Sequence, residues 1–272
     1  MRPLRDQVPR VLRKYRQLAR AAYVRTDPAR VFVYRLLHRD VAAVPPVTGR
    51  IRAGDMRIGN FMEAGRNCHQ PIRTAIDTYQ VRSERQPPRL LDFGCGVGRV
   101  LQYFARDGKE ELWACDVDVA AIAYLHRAFP AIRATVSHYA PPLQYPDGHF
   151  DLIYSVSVWT HLAPHLQVPW LLEMRRLLAP NGLALLTTIG PFGYRNGTHL
   201  AAVTFSLEDL LRDGFCYSEY KTRYVFGGPS YGAAYHTPAY VKKEWSAYFD
   251  VLEVREGVVD NLNDLVVLRK TS

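Results

Sequence analysis

The sequence predicts an α/β protein built on a doubly wound parallel sheet, and three observations carry that expectation. Residues 89–104, RLLDFGCGVGRVLQYF, read as strand, glycine turn and helix. Leu90, Leu91 and Phe93 make a short apolar run suited to burial on both faces, Gly94, Gly96 and Gly98 alternate, and Val100, Leu101, Phe104 and Ala105 resume at helical spacing. Residues 111–118, ELWACDVD, form a second short strand that ends in acids. From there to residue 189 strand-like runs alternate with helical ones, as parallel strands joined by crossover helices do.

The glycine turn is also the first candidate site. Glycine admits positive φ and puts no Cβ between backbone and ligand, so a small molecule can lie close to main-chain N–H groups at a helix N-terminus. The spacing is Asp92-x-Gly94-x-Gly96-x-Gly98. A dinucleotide G-x-G-x-x-G fingerprint would need glycine where Arg99 stands. Asp116 lies 18 residues beyond Gly98, where an acid can accept hydrogen bonds from both hydroxyls of a ribose.

Composition sets the bounds. The 272 residues are 48% hydrophobic, enough for one large domain with additions. No apolar run approaches the ~20 residues that span a bilayer, and the N-terminus lacks the apolar stretch of a secretory signal. Cys68, Cys95, Cys115 and Cys216 show no C-x-x-C spacing, which fits a reducing compartment and implies neither a structural disulfide nor a zinc site. Residues 1–89 hold 19 Lys+Arg against 7 Asp+Glu, so the net charge of +9 is an N-terminal property. A basic arm attracts phosphate, nucleic acid or anionic lipid, and solvated helix faces are equally Arg-rich.

Taken in order, Val8, Val11, Leu12, Tyr15, Leu18, Ala19, Ala22 and Tyr23 recur at helical steps, with Arg10, Arg13, Lys14, Arg16 and Arg20 across from them. Such a helix packs on a neighbour, lies on a membrane surface or meets a partner helix. Asp27-Pro28 offers a cap and first-turn proline for a second helix to about Leu37. Val44-Pro45-Pro46-Val47 ends it, and 49–59 read as loop, which places a basic helical appendage at 1–60 and the main domain at 61–272. A helix from Phe61 to about Tyr79 is stopped before Pro87-Pro88. Beyond the second strand come a helix 119–129, a strand 132–136, a turn at Pro146-Asp147-Gly148, a strand 150–156, a helix 170–178 and a strand 183–189. A helix capped by Ser206 follows, then an aromatic, glycine-rich insertion at 217–240, a helix from Thr237-Pro238 and a strand 249–254. Residues 190–240 as a whole suit a cap over a substrate pocket better than a core.

The successive segments LLDFGCGVGR, ACDVD, YPDGHFDLIYSVSVWTHL and LLEMRRLLAPNGLALLTT resemble the ordered motifs of class I S-adenosylmethionine-dependent methyltransferases. FDVLEVREG and LNDLVVLRK resemble that family's closing antiparallel strands. The resemblance covers about residues 89–190 and implies a Rossmann-like seven-stranded sheet whose last strand is antiparallel, with S-adenosylmethionine as cofactor. It implies cofactor contacts from Asp92, Gly94, Cys95 and Gly96, from Asp116 and Val117, from His138 or Tyr139 toward adenine, and from Ser155. Segments like 61–79 cover the cofactor in that family, which makes Gly65 and Arg66 candidate lid residues, and Trp159, Tyr231 and Tyr235 are then substrate-binding candidates.

Methyl transfer asks a protein to align nucleophile, carbon and sulfur and to exclude water. A hydroxyl acceptor also needs a base, for which His is suited. His236, flanked by Tyr231 and Tyr235, is the first candidate and His161 the second, although either residue could serve only to hold its loop. No metal is expected. The segment after the fourth strand is Ser155-Val156-Ser157-Val158 rather than an Asn/Asp-Pro-Pro-aromatic motif, and no Pro-Cys pair occurs, which disfavours methylation of nucleobases. The leading expectation is therefore cytoplasmic O-methylation of a small molecule such as a sugar, glycan, lipid-linked compound or secondary metabolite, with possible contact to an anionic membrane through the N-terminal helix. A cofactor-binding module without catalysis, acting as a peripheral membrane or assembly protein, is the alternative.

Overall fold

A computed structural model describes residues 10–39, 41, 43–81, 83–197, 203–220 and 231–271, with side chains from residue 19 onward. The chain divides into two compact units, residues 1–61 and 62–272.

In the first unit, α1 (Arg10–Leu37) is one helix, and α2 (Val47–Arg52) occupies part of the stretch read as loop. The expected break at Asp27-Pro28 does not occur, because Pro28 sits inside α1. Proline removes one hydrogen bond there without ending the helix. Asp27 does not cap a second helix either. Its carboxylate accepts from Nη2 of Arg50, whose side chain is fully buried. The other Arg50 donors reach the carbonyls of Pro45 (2.5 Å) and Met56 (2.9 Å), so the charge is both paired and hydrogen-bonded. Val8 lies outside the described residues, as do the side chains of Val11, Leu12, Tyr15 and Leu18.

The second unit begins within α3 (Ile58–Tyr79). Its strands are β1 (Arg89–Phe93), β2 (Glu111–Asp116), β3 (Arg133–Val136), β4 (Phe150–Ser155), β5 (Leu178–Thr188), β6 (Phe215–Glu219), β7 (Gly232–His236), β8 (Asp250–Val259) and β9 (Asn263–Arg269). Its remaining helices are α4 (Leu101–Asp107), α5 (Val119–Ala128), α6 (Pro164–Leu177), α7 (Pro191–Asn196), α8 (Leu207–Asp213) and α9 (Pro238–Glu244). Seven strands form one sheet in the order β3-β2-β1-β4-β5-β9-β8. The first five run parallel, and β9 is antiparallel to both β5 and β8. This is the expected doubly wound sheet with its antiparallel last strand.

Strand alternation sends successive residues to opposite faces, and both faces are covered. Leu90 and Leu185 pack with Ile72, Phe104 and Leu125 on one side, whereas Leu91 and Leu186 pack with Trp170, Met174 and Trp245 on the other. The strand order reverses at β1 and β4, which places a crevice at their carboxyl ends. Between β5 and α9 the chain builds α7, α8 and the separate two-stranded sheet β6–β7. Residues 198–202 and 221–230 of the expected cap lie outside the described residues.

Candidate functional site

The turn after β1 has the backbone its glycines allow. Gly94, Gly96 and Gly98 have φ of 79°, 50° and 76°. A Cβ at Gly94 would meet Cγ2 of Val158 at 2.3 Å, so the loop after β4 is seated directly on the turn. A Cβ at Gly96 would meet nothing within 4 Å. The N–H groups that sequence reasoning offered to a ligand are largely engaged within the fold. Gly94 and Cys95 donate to the Cys115 carbonyl at 2.9 and 3.1 Å, and Gly98 donates to Cys95 at 2.9 Å. What the turn offers at Gly96 is space.

Asp116 ends β2 beside that space. Its Oδ2 accepts from the Gly96 N–H at 2.7 Å and its Oδ1 from the Asp118 N–H at 2.8 Å, which fixes the carboxylate at the edge of that space. Asp118 in turn caps α5 by accepting from the Ala120 N–H. Val117 is half-buried, and Ser137, just after β3, donates its N–H to the Asp116 carbonyl at 2.9 Å. His138 and Tyr139 follow it and are exposed.

Asp92 is buried, and burial lifts its carboxyl to about 8. The Tyr154 hydroxyl, donating to Oδ2 at 2.5 Å, pulls the other way, while the Asp116 charge adds to the rise. Sequence reasoning missed Tyr154, because within FDLIYS it reads as another apolar strand residue. Register was the available signal, since Tyr154 pairs directly with Asp92 across β1 and β4. Ser155 is fully buried and donates Oγ–H to the Phe93 carbonyl at 2.8 Å, tying β4 to β1. Gly65 of α3 lies against the end of the turn, where a Cβ would meet the Arg99 carbonyl at 2.3 Å, and Arg66 is exposed.

The loop 156–162 carries His161. Its Nδ1–H donates to the Gly232 carbonyl at 2.8 Å, and its ring stacks on Tyr231 with centroids 4.5 Å apart. Tyr220 leans on both rings. The Ala234 N–H donates to the Thr160 carbonyl at 2.9 Å, and Leu162 bridges to Tyr231, so β7 is stitched to this loop. The carboxylate of Asp116 contributes to the upward shift of the Tyr231 hydroxyl, after the larger effects of burial and Tyr220.

His236 is elsewhere. Its ring is 1% exposed, among Phe215, Tyr240 and Trp245. Gln167 donates its amide to the carbonyls of Trp159 and Leu162, so its Oε1 is left to accept the Nε2–H of His236 at 3.2 Å. Nδ1 has no hydrogen-bond partner among the described residues, and burial lowers the imidazole to about 3. The expected pocket of Tyr231, Tyr235 and His236 is divided by alternation along β7. Tyr235 faces away from His236 and packs with Leu210, Tyr194 and Phe205 in the cap's own core. Trp159 is fully buried between Phe93 and Trp245. Thus Gly94, Gly96, Asp116, Asp92 and the loop bearing His161 gather at one end of the sheet, while His236, Tyr235 and Trp159 lie in packed interior.

Residues 90–182 match a family model described as a methyltransferase domain. A malonyl-[acyl-carrier protein] O-methyltransferase of Halorhodospira halophila is 32% identical over 110 residues, covering 39% of this chain and 36% of that protein. The matched stretch therefore spans about a third of that relative. An S-adenosylmethionine-dependent methyltransferase of Methanosarcina mazei superposes with a TM-score of 0.53 at 16% identity, over 72% of this chain and 97% of the other. The 1,6-didemethyltoxoflavin-N1-methyltransferase of Burkholderia thailandensis, solved with 1,6-didemethyltoxoflavin and S-adenosylhomocysteine, does so with a TM-score of 0.50 at 14% identity, over 96% and 90%. At these identities the structural likeness establishes the fold.

Proposed function

We propose that the chain is a class I S-adenosylmethionine-dependent methyltransferase that transfers a methyl group to an oxygen of a small-molecule acceptor, a reading supported by the methyltransferase-domain match over residues 90–182 and by the shared fold. One observation carries the reading: the Cβ direction of Gly96 opens into space beside a carboxylate fastened to the N–H of the same glycine. A ribose-bearing cofactor fits such a cradle, with the Asp116 carboxylate as the acceptor for its hydroxyls. S-adenosylmethionine, when bound, supplies a methyl group already activated by its sulfonium. The chain's own task is then to hold two reactants in line, exclude water and take up a proton.

His161 takes the base role in this reading in place of His236. Its Nδ1–H is held by the Gly232 carbonyl, which sets the tautomer in which Nε2 is the proton-accepting nitrogen. Tyr231 fixes the plane of the ring. His236, lowered to about 3 by its surroundings, is too weak a base near neutral pH. The acceptor class is a sugar, glycan, lipid-linked compound or secondary metabolite bearing a hydroxyl. That the partial relative is an O-methyltransferase supports oxygen as the nucleophile. Four free thiols suit a cytoplasmic setting, with the basic helix α1 in contact with an anionic membrane surface.

The test is transfer of isotope-labelled methyl from S-adenosylmethionine to a panel of hydroxyl-, carboxyl- and amine-bearing small molecules. The proposal expects label in an oxygen-linked product that withstands mild alkali, as an ether does. Alkali-labile label would move the acceptor to a carboxylate, and label on amines alone would overturn the assignment to oxygen.

A further inference from the structure

The geometry points to the exposed face of α1 between Val24 and Leu37 as a docking surface for an anionic lipid bilayer. This rests on the reading of α1 as a membrane-contacting helix and narrows it to the carboxyl-terminal half; it is independent of methyl transfer. Phe32, Val33, Leu36 and Leu37 are 69%, 51%, 59% and 73% exposed. Spaced at i, i+1, i+4 and i+5, they share one side of the helix, whereas Asp27, Val31 and Tyr34 are less exposed and lie on the other. Scattered exposed apolar residues are ordinary, but four in six positions on one face form a patch.

Among the described residues from Ala19 to Arg39, the exposed charges have one sign. Asp27 is the only acid in α1, and it is buried against Arg50. Arg20, Arg25, Arg30 and Arg35 on the helix, and Arg39 just beyond it, are exposed. A second copy of the chain would set arginine against arginine. A nucleic acid would satisfy the arginines and leave Phe32, Leu36 and Leu37 in water. A bilayer interface takes both, with the apolar side chains at the acyl boundary and the guanidinium groups among anionic headgroups. None of the described helices is long and apolar enough to cross a membrane, so the contact is with the surface.

Co-sedimentation of the full chain with vesicles of phosphatidylcholine, alone or mixed with phosphatidylglycerol, tests this directly. Binding is expected only to the anionic vesicles and should fade with salt. Arg25→Gln with Arg35→Gln should weaken it about thirtyfold, and Phe32→Ser with Leu36→Ser at least tenfold. Thermal unfolding should be unchanged, because these side chains are exposed. Anionic binding that both variants retain in full would overturn this face while leaving a membrane role for the rest of the arm. Absent binding, or equal binding to neutral vesicles, would overturn both. Self-association abolished by the Phe32/Leu36 variant would assign the face to a second copy, and RNA binding indifferent to that variant would assign the arginines to nucleic acid; either result, with no vesicle binding, overturns the proposal.

Discussion

Replacing Tyr154 by Phe tests the least expected feature of the site, a carboxyl held at about 8 beneath the glycine turn. Burial raises Asp92, and the hydroxyl of Tyr154 at 2.5 Å is what limits the rise. A hydrogen bond to a charged group contributes about 1.5–3 kcal/mol, and one pKa unit corresponds to about 1.4 kcal/mol. Removing the donor should therefore push Asp92 up by about one to two further units. Carboxyl carbon NMR on the aspartate-labelled protein reads this residue by residue. One aspartate should titrate near 8 in the wild type and higher in Tyr154→Phe. The linkage has a definite sign, since the folded state holds the proton more tightly than the unfolded chain. Its stabilising contribution is complete below the unfolded value near 4 and is lost as pH rises through about 8. An Asp92 that titrates in the ordinary carboxylate range, or that ignores the loss of the hydroxyl, would refute the reasoning.

Asp116→Ala should weaken S-adenosylmethionine binding by about 1–3 kcal/mol, read by calorimetry, because polar ligand groups lose their acceptor. With the acceptor identified, His161→Ala should lower turnover about 10²–10⁴-fold at unchanged cofactor affinity. His236→Ala should instead lower stability in urea, since it removes a buried ring that packs on Phe215 and Trp245. Asp264 accepts the Gly257 N–H on Oδ1, while its buried Oδ2 has no hydrogen-bond partner among the described residues, and burial raises it to about 7. Asp264→Asn should therefore gain stability over the wild type as pH rises from about 4 through about 7, measured by urea unfolding at several pH values.

The sheet was legible because its strands are short apolar runs with glycine or acid at their ends, and a buried parallel strand needs little else. Asp92, the glycines and Asp116 were legible for the same reason: spacing along one chain fixes where they stand. What depends on a second chain segment was not. Tyr154 acquires its meaning only from its register against Asp92. His236 looked like a pocket residue because Tyr231 and Tyr235 flank it in sequence, but alternation along β7 sends Tyr235 to the opposite face, and Gln167, far away in sequence, claims the ring. Pro28 misled in another way. It read as the first turn of a second helix, yet it lies inside α1, which extends past it on both sides. The helix expected from residue 170 likewise starts earlier, since α6 begins at Pro164.

Calorimetric titration of the intact protein with S-adenosylmethionine, beside the Gly96→Val variant, tests the central claim most directly. The space at Gly96 should admit the cofactor to the wild type with saturable one-site binding, and the valine side chain should fill that space and abolish it. A wild-type protein that shows no saturable binding, or a Gly96→Val variant that binds as well as the wild type, would contradict it.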